Sequence, residues 1–463
     1  MSSEWVDLPL ATQAGEGASS FVSDADLINL ALIPSAPGAP FPFALMNTPA
    51  LVNSAGSGAG LIRGMLAHGD YIWFVKGTGL YTWNGTVEAA VVGSIAGTAL
   101  CQMTGTGINQ IVIVADSATY KADTGTITTI TPPAGTYTDA TYQDGYTIYT
   151  RSGTDEFYVS AIDDPTTIAA LDFSTADAIP DRLTGCVSDH HNLVLFGEKH
   201  IEFWYNSGGA DFPFARSSPG VVERGCKAVG SIVKYDSAVF FLGDDRRVYR
   251  LEGFRAAPIS TEWVERLITP TYANADVRGG VYVANGHAYY VLGLGAGLAT
   301  VVYSITTGLW HRRDHNGIST PRFVDVCNGV NNVALPYAYA AVNYGALGEV
   351  FLLDEAVFRD SDAGTNDTLR TTTIPMIDGG GVRVFHHELE IIMEKGSVGT
   401  VTFSYSDDGG VSYTTHSQPS LNQDRLLFNG LGSFYRRILR FVFSANTRIA
   451  LVAVRARISR GVA

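Results

Sequence analysis

Three adjacent carboxylate pairs, Asp163-Asp164, Asp244-Asp245 and Asp407-Asp408, are the residues of this chain best suited to acid–base chemistry. Glycoside hydrolysis needs two carboxyl groups flanking one bond. Here each pair sits beside Gly, Pro or Ser, and adjacent side chains of an extended chain point apart. The pairs therefore read as solvated turns. Two histidine groupings, His386-His387 and His311-x-x-x-His315, could ligate a metal, and His387-Glu388 begins a metalloprotease motif. Position 391 is Ile, so the second histidine of that motif is missing and no metal site is expected. Gly56, Gly58 and Gly60 form a cluster that Leu61 interrupts and no helix follows, which suits a joint rather than a dinucleotide loop. Neither a nucleophile elbow nor a phosphate-loop lysine occurs. Ser406-Asp407-Asp408-Gly409-Gly410-Val411-Ser412-Tyr413 fits an Asp-box hairpin turn, in which an aspartate caps backbone N–H groups over an aromatic. No catalytic residue and no cofactor site is expected.

Charge is the more informative chemistry. The 463 residues carry 31 basic and 45 acidic side chains, a net charge of -14, and only 16% are charged. That balance argues against a protein that grips phosphates along its whole surface. Six of the basic residues are Lys and 25 are Arg. Eight arginines (Arg425, Arg436, Arg437, Arg440, Arg448, Arg455, Arg457, Arg460) fall after position 424 with no acid among them. The end of the chain is thus suited to dock on an acidic partner, on another copy's acidic body, or on DNA. Four cysteines without a Cys-x-x-Cys spacing read as free thiols of a protein made in a reducing compartment.

The elements that must position these groups are strands. Fifty glycines and 44 Phe plus Tyr point to many turns and aromatic-bearing strands. A turn, an apolar strand, a second turn and a second strand recur, clearest in DYIWFVKGTGLYTWNG (70–85) and DSAVFFLGDDRRVYRLEG (236–253). First strands begin near Tyr71, Ile111, Tyr146, Leu193, Val239, Ala288 and Ala340, at intervals of 40, 35, 47, 46, 49 and 52 residues. A period near 45 with about four short strands is a propeller blade. The expected architecture is all-β: an N-terminal arm (1–60), a six- or seven-bladed β-propeller-like domain (61–355), a polar linker (356–370) and a C-terminal β-sandwich (371–463). Thr261–Ile268 is the one helix expected, with Thr261 as cap. The uncharged stretch Ala288–Ile305 approaches membrane-spanning length. Its glycines, Gly293, Gly295 and Gly297, between β-branched runs indicate two strands and a turn instead. The acidic N-terminus, with Glu4 and Asp7, is not a secretory signal.

Read in order, several segments resemble the tail-hub or nozzle proteins of short-tailed bacteriophages (podoviruses), the packaged-DNA stabilisation protein family. DLINLALIP…ALMNTPAL (26–51) resembles the family's opening, with Ala50 where a glycine is usual. GLIRGMLAHGDYIWFVKGTGLYTWNG (60–85) is similar to its Arg-Gly-Met segment and first hairpin. VYSITTGLWHRR (302–313) resembles a blade end, and SYSDDGGVSYTT (404–415) the sandwich hairpin. Arg436, Arg437 and Arg440 fall in the arginine-rich strand that commonly closes the family. Residues 120–180 and 205–235 carry no such resemblance.

The resemblance implies a structural, non-enzymatic component of the virion tail, made in the host cytoplasm. Six copies would form a tube below the portal and its head-to-tail adaptor ring. That tube would extend the DNA channel and hold packaged DNA until ejection, without binding it specifically. Tail fibres or spikes would dock outside, and a plug or needle would close the end. Arg436, Arg437, Arg440, Arg455 and Arg457 are the expected partner or subunit contacts. A receptor-binding or fibre-type protein predicts a trimer and a long fibrous repeat. A propeller glycosidase acting on host polysaccharide predicts two converging acids.

Overall fold

The computed structural model describes residues 3–16, 24–56, 58–107, 109–116, 118–269, 276–295, 298–314, 322–330, 336–344, 346–360, 368–395 and 398–461. The chain is all-β, 58% strand and 3% helix, in a propeller arrangement with six self-contained four-stranded blades. Five follow in order: blade 1 (62–91), blade 2 (102–130), blade 3 (137–175), blade 4 (183–222) and blade 5 (233–258). A further four-strand unit, 278–313, takes the next place in the ring but runs on into a nine-stranded sheet. The last blade, 322–354, is completed by Ala50–Ala55, whose Ala50 pairs with Asp354 and Leu51 with Leu353. Its first strand, Arg322–Val330, packs on Ile62–His68 and closes the ring.

The second strand of each unit explains why the repeat was legible. Ile111–Val114, Leu193–Phe196 and Ala238–Leu242 are buried at every position, because neighbouring blades cover both faces. A strand buried on two sides reads as an unbroken apolar run. The hairpin before it needs positive φ in its two-residue turn, supplied by Asp144-Gly145 (φ 53 and 89) and Asn285-Gly286 (φ 50 and 74).

The described residues of 3–56 form no separate core. Glu4–Leu8 adds to Ala450–Arg460, Leu27–Ile28 lies between Trp310–Arg313 and Leu369–Asp378, and Phe43–Asn47 pairs with Leu30–Pro34 and with Ala450 and Leu451. Leu27, Leu30 and Leu45 enter one core with Phe240, Tyr290, Phe403 and Leu451. The C-terminal sandwich is therefore built from both ends of the chain and shares its core with the propeller. Its sheets face each other across that core, one seven-stranded and one the nine-stranded sheet carrying Leu369–Asp378, Arg436–Ser444 and Thr400–Ser406.

The helix spans Glu262–Ile268. Thr261 occupies the cap position in extended conformation, but its hydroxyl makes no capping bond. Stability comes instead from Trp263, Val264 and Ile268, which enter the core. His287–Gly293 and Thr300–Ser304 pair antiparallel, so the uncharged stretch is two strands. Gly297, between them, lies outside the described residues, as do His315, Ser57 and part of the expected linker (361–367). Among the described residues no helix is long and apolar enough to cross a membrane.

Candidate functional site

Alternation along Arg436–Ser444 sends neighbouring arginines to opposite faces. Arg436 points outward, its side chain 51% exposed and 3.6 Å from Asp378. Arg437 points into the sandwich with a side chain 2% exposed. Its Nε and Nη2 donate to the two oxygens of Asp407, each at 2.7 Å, and Nη1 donates to the Leu431 carbonyl at 2.7 Å. Tyr405 and Phe434 lie under the guanidinium, with centroids at 4.1 and 4.5 Å. Arg437 is thus a support for this strand rather than a group offered to a neighbour. Arg440 lies half-buried over Tyr413 at 5.3 Å.

Arg455 and Arg457 sit two apart on one face of the seven-stranded sheet. The register sets Arg455 opposite Glu390 and Asp7, and Arg457 opposite Glu388 and Trp5. Arg455 Nε donates to Asp7 at 2.9 Å; Arg457 reaches Ser3 at 2.9 Å and Glu388 at 3.4 Å. Arg425 donates to Glu390 at 2.8 Å, and Arg448 lies 3.6 Å from Glu394. The acid-free run after position 424 is therefore answered by acids from strands before it. Over 371–463 the chain holds ten basic and seven acidic residues.

The three carboxylate pairs are held apart in turns. Asp164 accepts from the hydroxyls of Thr166 and Thr167 at 2.6 Å, which hold its carboxyl down at about 2. Asp163 accepts from Tyr142. Asp244 faces Lys199 at 3.0 Å, and Asp245 faces Tyr249 at 2.6 Å and Arg224 at 3.4 Å. Asp408 accepts from Ser406 and from the Ser412 N–H, while Gly409 and Gly410 take φ 81 and 90: the Asp-box turn. Asp244 also lies 3.9 Å from the Arg224 nitrogen that faces Asp245, so that pair shares one guanidinium. His311 and His386 are buried, which pushes each imidazole down to about 3, and His387 is bonded to Ser459. Among the described residues no group of three His, Cys, Asp or Glu could hold a metal. All four thiols are free; burial pushes Cys226 up to about 12.

The propeller axis holds the polar cluster that sequence reasoning missed. Asp139 and Asp325 sit at equivalent bulges in the first strands of blade 3 and the last blade. Each carboxylate takes the N–H of the residue after it and one N–H of the next blade round the ring: Asp139 from Cys186 at 2.9 Å, Asp325 from Met65 at 3.2 Å. Burial pushes both carboxyls up to about 7, against those N–H groups and Arg278. Arg278, 5% exposed, starts the 278–313 unit and donates to Gln102 Oε1 and the Cys101 carbonyl of blade 2, both at 2.9 Å. Those two units are not neighbours, so this side chain spans the centre of the ring. Beside it lies a cavity of about 220 Å³ with a mixed lining, Asp116, Thr136 and Ser152 alongside Leu100, Val114 and Val229. Locally each is only an acid among uncharged residues at the start of a strand, Tyr-Thr-Asp-Ala (137–140) and Phe-Val-Asp-Val (323–326), which does not mark an axial position.

Among solved structures the fold is similar to the computationally designed Ika8 protein at 11% identity and TM-score 0.42, over 66% of this chain and 99% of that one. It is also similar to the extracellular domain of the putative hybrid two component system BT4673 of B. thetaiotaomicron (11%, TM-score 0.44, 75% of this chain and 44% of that one). The WD40 domain of Neurospora crassa Pan2 gives 8% and 0.41, over 64% and 89%. A search of the curated proteins finds no match. Residues 19–312, well over half of the chain, match the family described as bacteriophage P22 Gp10, β-propeller. This chain belongs to that family of phage structural proteins, which stabilise packaged DNA, and is a virion component.

Proposed function

We propose that the chain is one subunit of a hexameric tail nozzle that extends the DNA channel below the portal and its adaptor ring, retains packaged DNA and carries fibres or spikes. The observation that carries this reading is the match of residues 19–312 to a phage family that stabilises packaged DNA. In this reading DNA passes between copies, since Arg278 crosses the centre of the propeller of each one. A net charge of -14 suits such a path, since each Lys or Arg on phosphate would add salt-dependent affinity and slow passage. Among the expected contacts, Arg436, Arg455 and Arg457 stand in partly exposed ion pairs, which contribute little within one copy and are open to new partners. Arg437 would act by holding the strand that presents Arg436.

The test is the mass of the purified protein by native mass spectrometry, alone and with the adaptor. Six times 49.5 kDa in either condition is the expected species. A monomer in both overturns the ring, and a trimer moves the fibre-type reading to the front. The role proposed is structural, as in the family that residues 19–312 match.

A further inference from the structure

Blade 3 carries an apolar surface that nothing in the described chain covers. The connection 160–172 joins its third and fourth strands and exposes Ile162 at 61% and Leu171 at 85%, beside exposed Ala169, Ala170 and Phe173. This is a preformed surface. The Ala161 N–H donates to the Thr167 carbonyl at 2.8 Å, the Val159 N–H to the Asp172 carbonyl at 3.0 Å, and the Asp172 N–H to the Ala169 carbonyl at 3.1 Å. Asp164 clamps Thr166 and Thr167, and Phe173 stacks on Tyr158 at 5.3 Å. A rigid loop that shows Leu to water has already met the ordering cost of binding, and exposed apolar surface rimmed by charge marks an interaction site. The loop itself is acidic: residues 160–172 hold Asp163, Asp164 and Asp172, all at least partly exposed, and no Lys or Arg.

The matching chemistry is at the far tip of the sandwich. Tyr435 is 56% exposed, with Arg383 over its ring at 5.5 Å and half-exposed Arg436 next in sequence. An exposed Tyr between two Arg has the composition of an interface hot spot. It carries the sign that the blade 3 loop lacks. The two surfaces cannot meet within one copy. The sandwich joins the propeller where Ile28 pairs with Arg312 and Thr371. Arg436 pairs with Asp378, seven residues beyond Thr371, about 23 Å further along the strand. Blade 3 lies three places round the ring from the unit that bears the sandwich. Complementary patches at opposite ends of one molecule build head-to-tail contacts, which close into rings when the rotation allows.

We infer that the blade 3 loop, centred on Leu171 and Asp172, receives the Arg383–Tyr435–Arg436 tip of a second copy of this chain. This rests on the ring proposed above and names the two faces of its subunit contact. The experiment is native mass spectrometry of the full chain, with the adaptor if the wild type needs it. The variants are Leu171→Asp, Asp172→Arg, Arg436→Asp and the double Asp172→Arg/Arg436→Asp, each checked for an unchanged melting curve. Leu171→Asp and each single charge reversal should cut the sixfold fraction at least tenfold, and the double variant should recover at least half of it. Sixfold assembly of Leu171→Asp at the wild-type level overturns the inference and leaves the ring standing. So does a double variant no better than its singles, or a ring that stays intact and loses only the adaptor. A wild type that is monomeric throughout overturns the ring itself.

Discussion

Single side chains here divide between holding the fold and facing outward, and neighbours in sequence differ sharply. Arg437 fills all its roles inside one copy. Arg437→Ala should cost about 2–4 kcal/mol, since it leaves Asp407 and the Leu431 carbonyl without their partner. Arg436→Ala should cost under about 1 kcal/mol. Urea unfolding of the two variants measures the difference, and Arg437→Lys should not restore stability, because an ammonium cannot reproduce the fork on Asp407. Asp139 and Asp325 predict a pH dependence. Each carboxyl is raised to about 7 in the folded chain from 3.8, so the folded state holds protons that the unfolded state has released. That contribution is full below about pH 4 and is lost as pH rises to 7, at up to about 1.4 kcal/mol per unit for each group. His311 and His386, held down at about 3 by burial, contribute with the opposite sign over much of the same interval. The stability of the wild type relative to Asp139→Asn/Asp325→Asn should therefore fall as pH rises over that interval, because only the two carboxyls differ between them. An equal slope in both would sink this account. The carboxylate pairs were legible as turns because Gly, Pro and Ser flank them. The axial acids were not, because nothing in a strand's sequence reveals that its first residues meet at the centre of a ring.

At the scale of elements, blade-to-blade contact depends on small residues at the bulges. Gly185 occupies in blade 4 the place that Asp139 occupies in blade 3, and a Cβ there would lie 2.8 Å from Val229 Cγ2, 2.9 Å from Asp139 Oδ2 and 2.9 Å from Ile232 Cδ1. Gly185→Ala should cost about 1–3 kcal/mol through forced shifts in a packed interior, read as a lowered melting temperature. The hairpins were legible one by one, since a strand covered on both sides needs apolar residues throughout. The closing strand was not. Ala50–Ala55 is short, and its partner Leu347–Asp354 lies about 300 residues away, so no local pattern marks the pair. The arm likewise read as loose chain because its apolar residues find their core only among strands from the other end.

Across the whole molecule, a net charge of -14 predicts that the isolated protein should not bind duplex DNA at physiological salt. A gel-shift with a short duplex at 150 mM salt is expected to show no complex, and a salt-sensitive shift would remove the argument for a repelling wall. Composition and periodicity by themselves determined the all-β class, the propeller repeat and the net charge, because strand period, turn residues and charge are local or additive properties. Which arginines face outward, where their acids lie and what fills the axis were decided only by the tertiary structure. Those outcomes depend on pairings between residues tens to hundreds of positions apart, as Asp7 with Arg455 and Arg278 with Cys101 show. Such pairings are fixed by closing the ring and by folding both chain ends into one sandwich, and no local stretch of sequence encodes them.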